Sequence, residues 1–137
     1  MKNILILCTG NSCRSQIAHG YFETYLDEKA NIYSAGIETH VVNDNAVKTM
    51  KRDGINISLY GSNNIDEYKN IDFDFIITVC DNANENCPLF FSKNSKRIHQ
   101  NFIDPSKIRK SKNIEKDFDN CREEIKKFSK EFKKKFF

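Results

Sequence analysis

Eight residues near the start of the chain, Cys8-Thr9-Gly10-Asn11-Ser12-Cys13-Arg14-Ser15, have the types and spacing to hold and attack an oxyanion. A thiol is nucleophilic only as its thiolate, and a nearby guanidinium or helix N-terminus favours that form. Arg14 offers a planar fork that fits two oxygens of a tetrahedral anion. Only five residues separate it from Cys8, so the loop can fold the guanidinium back over whatever Cys8 attacks. Backbone N–H groups of Thr9, Gly10, Asn11, Ser12 and Cys13 can ring the same anion. Gly10 and Asn11 tolerate the positive backbone angles that such a ring requires. Ser15 is placed to donate a hydrogen bond to the Cys8 sulfur. Alone, Cys8 reads as a small buried residue at a strand end. The Cys-x5-Arg-Ser spacing directly after an apolar run favours chemistry instead.

Cys80 and Cys87 form a second, weaker signal, with six residues between them. Zinc favours Cys-x2-4-Cys with a second ligand pair, and no such pair is present; His40 and His99 are isolated in sequence. A transient disulfide remains, in which one thiolate attacks a sulfur-bound adduct and another resolves the product. Asp104 precedes Pro105. That pair reads equally as a turn start or as a general acid for a departing oxygen. The Cys13 thiol is expected to pack or lie peripherally, with its backbone in the anion ring. Cys121 falls on an apolar helical stripe and is expected in the core. Lys133-Lys134-Lys135 suits a solvated helix end, and the Phe128/Phe132/Phe136 stripe suits core packing or a partner contact.

The elements that must position these residues are legible in outline. Residues 3–7 are continuous, apolar and partly β-branched, as a buried parallel strand requires. Ile17, Ala18, Tyr21, Phe22, Tyr25 and Leu26 recur at helical spacing, which predicts a helix from Ser15 to Lys29. Ile32 to Gly36 predicts a second strand. A helix capped by Asn43 or Asp44 runs through Met50 and ends at Gly54. Residues 56–64 read as loop, and residues 65–71 as a short helix. Phe73 to Val79 reads as the strongest strand. Residues 81–95, poor in apolar positions before Leu89-Phe90-Phe91, read as a long mobile loop. Arg97-Ile98-His99 predicts a fourth strand, and Phe118, Cys121, Ile125, Phe128 and Phe132 mark a C-terminal helix. The alternation predicts an α/β fold: an open parallel four-stranded sheet flanked by helices, with Cys8 and Cys80 both at strand carboxyl ends.

The chain has 137 residues, enough for one domain spanning 1–137, and a net charge of +3 that does not argue for nucleic acid or a membrane surface. Its N-terminal apolar run, Ile4 to Leu7, is too short for a secretory signal or a spanning helix. Five cysteines, an odd number, suit a reducing cytoplasmic setting in which thiols act rather than staple. A monomer is expected.

The stretch from Cys8 to Gln16 resembles the anion loop of thioredoxin-coupled arsenate reductases, which share the low-molecular-weight tyrosine phosphatase fold. Tyr33-Ser34-Ala35-Gly36-Ile37-Glu38-Thr39-His40, Cys80-x6-Cys87-Pro88 and His99-x-x-Phe102-x-Asp104-Pro105 resemble further segments of that family. Gln16 stands where phosphatases usually carry proline. The resemblance implies a sequence of steps. Cys8 attacks arsenate held by the loop amides and Arg14, and Asp104 protonates the departing oxygen. Cys80 attacks Cys8, arsenite leaves, and a Cys8–Cys80 disulfide remains. Cys87 then forms a Cys80–Cys87 disulfide that thioredoxin reduces. Phosphate or sulfate would mimic arsenate, and neither metal nor organic cofactor is needed. Some family members bind potassium near the loop through Asn, Ser and two carboxylates. Asn11 and Ser34 match, but His19 and Asn63 occupy the carboxylate positions, so no tight potassium site is expected. Ser106 and Lys107 follow Pro105 where tyrosine phosphatases carry aromatic residues. Two other functions compete: a phosphatase whose Cys80 and Cys87 guard Cys8, and a non-enzymatic anion or redox sensor.

Overall fold

The computed structural model describes residues 1–87 and 94–137. Pro88 and Leu89-Phe90-Phe91 lie outside the described residues. The sheet has four strands, β1 (Lys2–Cys8), β2 (Ala30–Gly36), β3 (Phe75–Thr78) and β4 (Lys96–His99), in the order β2-β1-β3-β4. All three pairings are parallel. This is the sheet that the alternation of apolar runs predicts. β1 is interior, and Ile4, Leu5, Ile6 and Leu7 are fully buried, which explains why its sequence shows no polar alternation.

Parallel pairing gathers the strand carboxyl ends at one edge. Cys8 stands opposite Gly36, and Leu7 opposite Thr78, two residues before Cys80. The loops after all four strands therefore converge where Cys8 lies.

Among the described residues, four α-helices surround the sheet. α1 (Arg14–Leu26) buries Ile17, Ala18, Tyr21, Phe22 and Leu26 and gives way to a 3₁₀ turn at Asp27–Lys29, three residues inside the expected end. α2 (Asp44–Arg52) is capped by Asn43, whose side chain accepts from the Asn45 N–H at 2.8 Å, and Gly54 follows it at φ 78°. α4 (Ile114–Phe136) buries Phe118, Cys121, Ile125 and Phe132 as its stripe predicts. Its Phe132 ring lies 5.0 Å from that of Phe22 on α1. Residues 65–68 form a 3₁₀ turn closed by reciprocal hydrogen bonds between Asn64 and Glu67.

The expected mobile loop over residues 81–95 needs correction, because Asp81–Asn86 form helix α3. Asn is a poor interior helix residue, so local propensity argues against it. Tertiary context prevails. Cys80 caps α3 with its sulfur, accepting the Ala83 N–H at 3.4 Å, and Ala83 itself is fully buried. His99 on β4 ties the helix start down, bonding Thr78 Oγ1 through Nδ1 and Asp81 Oδ1 through Nε2, both at 2.7 Å. His99 is thus a strut between β3, β4 and α3.

Candidate active site

The loop between β1 and α1 is held from outside by its carbonyls. The Cys8, Thr9 and Gly10 carbonyls accept N–H bonds from Ile37, Glu38 and His40 at 3.2, 2.9 and 2.9 Å. The Asn11 carbonyl accepts from Gln16 Nε2 and Ser62 Oγ, both at 2.8 Å, and the Ser12 carbonyl from the Asn43 N–H at 2.9 Å. Across a trans peptide the C=O and the following N–H point in opposite directions. Five outward carbonyls therefore turn the N–H groups of Thr9, Gly10, Asn11, Ser12 and Cys13 away from that outer shell, into the loop. They face a cavity of about 250 Å³ lined by Cys8, the loop, Arg14, Asp104 and a rim that includes Glu38, His40 and Lys107.

The loop's backbone is fixed at two points. Asn11 takes φ 50°, is fully buried, donates to Ser15 Oγ at 2.8 Å and accepts the Asn63 N–H at 2.8 Å. Gly36 lies so close beneath that a Cβ there would stand 2.7 Å from the Thr9 carbonyl and 2.8 Å from the Asn11 nitrogen. Gln16, a family marker in the sequence, braces the loop by donating also to the Gly61 carbonyl at 3.1 Å.

Arg14 lines the cavity. Its Nη1 donates to the Phe102 carbonyl at 2.8 Å, and Nη2 stands 3.6 Å from Asp104 Oδ2. Its buried Nε has no partner among the described residues, a donor left over for a ligand oxygen. Asp104 starts a 3₁₀ turn at Pro105–Lys107, accepting from the Ser106 N–H at 2.9 Å, and also lines the cavity. The turn reading of Asp-Pro is met, and the same residue stands at the cavity.

Cys8 lines the cavity, and Cys80 stands beside it, its sulfur 3.2 Å from Oγ1 of Thr9, the next residue of the loop. The Cys80 thiol is pulled below the ordinary range first by its interaction with Cys8, against its own burial, with further help from Thr9, the Ala83 N–H and Arg14. Cys8 is pushed up, first by its interaction with Cys80 and then by burial. One negative charge is therefore favoured on the pair, and a second is opposed. Cys87 caps the far end of α3, where burial raises its thiol.

Two placements differ from the sequence reading. Among the hydrogen bonds of the described residues, the Ser15 hydroxyl meets Asn11 rather than the Cys8 sulfur, so it supports loop shape. The hydroxyl beside a cysteine sulfur is that of Thr9, with Oγ1 3.2 Å from Cys80 Sγ. Sequence spacing did not expose Asn82 either, which donates to Thr9 Oγ1 at 3.1 Å; the only hint was an Asn-rich turn following Cys80. Cys13 is buried inside the loop with its thiol raised by burial, in keeping with a packing role for its side chain.

The residues at the potassium position do not fit that ion. Ser34 Oγ is bonded to His19 Nδ1 at 2.7 Å, and Asn11 Oδ1 is taken by the Asn63 N–H. His19 also stands 3.5 Å from Glu23, and its ring lies 4.7 Å from that of Tyr60. Oxygen atoms that a hard cation would need are already engaged by the protein. Among the described residues, no group of three or more His, Cys, Asp or Glu side chains could hold a metal.

The sequence profile of the low molecular weight phosphotyrosine protein phosphatases matches residues 3–136. The chain belongs to this family. Within it, the chain is 42% identical over 132 residues to arsenate reductase 1 of Staphylococcus saprophyticus subsp. saprophyticus, covering 96% of both chains. It is 49% identical over 106 residues to the arsenate reductase of Halalkalibacterium halodurans, covering 77% of this chain and 76% of the relative. Among solved structures, an arsenate reductase in the phosphate binding state superposes over all of both chains with a TM-score of 0.86 and 27% identity. The tyrosine phosphatase Wzb of Escherichia coli K30, in complex with sulphate, shares the fold at a TM-score of 0.82 and 19% identity, over 99% of both chains.

Proposed function

We propose that this chain reduces arsenate to arsenite, with electrons drawn from its own thiols and restored by thioredoxin. One observation carries the reading: a second thiol, Cys80, stands beside Cys8, its sulfur 3.2 Å from the hydroxyl of Thr9, the next residue of the loop that lines the cavity. Simple phosphate hydrolysis needs no such thiol, because water resolves its intermediate. The identities to arsenate reductases support the reading.

The loop N–H groups and Arg14 hold arsenate. Passing its proton to Cys80 makes Cys8 the thiolate, which forms a sulfur–arsenic bond. One oxygen leaves with a proton from Asp104. Cys80 then gives its proton to an oxygen of the arsenic group that is to leave and attacks the Cys8 sulfur as a thiolate. A sulfur–sulfur bond forms, the sulfur–arsenic pair of electrons stays on arsenic, and arsenite departs. Cys87 attacks Cys80 of that disulfide and releases Cys8 as a thiolate. The dithiol of thioredoxin reduces the resulting Cys80–Cys87 disulfide. The chain acts as a monomer in the cytoplasm and needs no metal. Among the described residues no helix is long and apolar enough to cross a membrane. The cavity cannot separate phosphate from arsenate by charge or shape, so slow aryl phosphate hydrolysis is expected beside the main reaction.

The test is consumption of NADPH on adding arsenate to the chain with thioredoxin and thioredoxin reductase. No consumption sinks the proposal. Cys87→Ser separates the reductase from a phosphatase with guard thiols. A reductase loses multiple turnover but completes about one round, whereas a phosphatase keeps turning over aryl phosphate and reduces no arsenate.

A further inference from the structure

The Thr9 hydroxyl joins the oxyanion loop to α3. Its oxygen lies 3.2 Å from Cys80 Sγ and 3.1 Å from Asn82 Nδ2. A carboxamide NH₂ only donates, so Asn82 occupies an acceptor site on the hydroxyl and leaves the single O–H proton for the sulfur. Asn82 is oriented in turn. Asn86 Nδ2 donates to Asn82 Oδ1 at 2.9 Å and to the Asn82 carbonyl at 2.8 Å. That contact turns the Asn82 NH₂ toward Thr9. With Cys80 as the thiolate, which can only accept, every hydrogen bond in the series runs one way, from Asn86 to Asn82 to Thr9 to Cys80.

We propose that Asn82 and Asn86 are positioning residues that fix the Thr9 hydroxyl as a donor to the Cys80 sulfur and so prepare Cys80 to attack the Cys8 adduct. Its purpose rests on the arsenate reductase reading; the hydrogen-bond series does not. Without Asn82 the hydroxyl can rotate and accept from the thiol, which favours the protonated form. Residues 82 and 86 are one helical turn apart, so the series exists only while α3 is helical. Unwinding the helix to bring Cys87 to Cys80 dismantles it, after Cys80 has already attacked.

Other groups also face Cys80. Cys8 from β1, the Ala83 N–H of its own turn and Arg14 from α1 favour the thiolate. Asp81, held by His99 of β4, and Glu85 are the acidic groups of α3, and Arg97 of β4 bonds Asn84. Burial raises the thiols of Cys13, Cys87 and Cys121. The first thiolate to form as pH rises therefore belongs to the Cys8–Cys80 pair, and ultraviolet thiolate absorbance follows it.

The test is that titration in the reduced full chain, with neither arsenate nor thioredoxin present. Asn82→Ala is expected to move the first midpoint up by about one unit, roughly a tenfold smaller thiolate fraction on the acid side. Asn86→Ala moves it the same way by less. In a Thr9→Val background Asn82→Ala has no further effect, a coupling that general loosening of the helix would not produce. The proposal is overturned if Asn82→Ala leaves the midpoint in place, or shifts it equally with and without Thr9→Val. Absence of arsenate turnover in the wild-type chain would instead overturn the reductase reading, and the titration would still decide this one.

Discussion

Cys80 and Cys87 stand at opposite ends of α3, one capping its start and the other its finish. Seven residues of helix separate their Cα atoms by about 10 Å, whereas a disulfide needs roughly 4.4–6.8 Å. Cys80 already stands beside Cys8, its sulfur 3.2 Å from the hydroxyl of the adjoining Thr9. The first disulfide of the proposed cascade therefore forms nearly in place, and the second requires α3 to unwind. Hydrogen exchange should report it: the amides of Ala83 to Asn86 lose protection in a chain oxidised to Cys80–Cys87 and keep it when reduced. Equal protection in the two forms, with the disulfide verified by mass, would rule out this motion.

Arg14 presents a planar fork with one N–H bonded to the Phe102 carbonyl and a buried Nε without a partner among the described residues. Lysine supplies charge but neither the fork nor the tie to Phe102. Arg14→Lys is expected to weaken phosphate binding by about 1.5–3 kcal/mol, the worth of a hydrogen bond to a charged group. Titration calorimetry with inorganic phosphate measures it. An unchanged affinity would mean that the loop amides alone hold the anion.

How much of this could be read in the sequence depended on whether the signal was local. β1 is buried on both sides and shows as an unbroken apolar run, and Cys8, Arg14 and their loop follow it directly. α4 shows its buried stripe in the spacing of Phe118, Cys121, Ile125 and Phe132. α3 did not show, because its stability comes from the Cys80 cap, Ala83 burial and the His99 strut rather than from its own Asn-rich sequence. The partners of Thr9 and Ser15 were hidden for a related reason. A hydroxyl's direction depends on what else reaches it, and Asn82 lies 73 positions from Thr9. Loop spacing suggested Ser15 for the sulfur, but buried Asn11 takes that hydroxyl.

Gly36 sits under the loop with no room for a side chain. A Cβ would meet the Glu38 carbonyl at 2.3 Å as well as the Thr9 and Asn11 backbone. All three contacts are backbone atoms, two of them in the anion loop, so relief must come from moving the backbone there. Gly36→Ala is expected to cost about 1–3 kcal/mol of stability, as overpacking does, and to weaken phosphate binding with it. Thermal melts with and without phosphate measure both effects. A variant that melts lower yet gains as much from phosphate as the wild type would show that the loop keeps its geometry.

Asp53 joins α1 to α4 away from the cavity. The Tyr21 hydroxyl donates to it at 2.7 Å, and Lys126 Nζ lies at 3.0 Å. The Tyr21 hydrogen bond, then that from Lys126, holds its carboxyl below the usual range against the opposing effect of burial. A carboxyl whose value is depressed on folding contributes stability that is full above its unfolded value, near 4, and is lost as pH falls through the folded one. Asp53→Asn is therefore expected to cost about 1 kcal/mol at pH 7, the order of a single hydrogen bond. The gap to the wild type should begin to close as pH falls below about 4 and vanish once pH lies below the folded value, where the wild-type carboxyl is neutral in both states. Urea denaturation of both chains at neutral pH and in acid measures the gap. If it stayed constant, Asp53 would be acting through packing, and its charge would contribute nothing to the junction of α1 with α4.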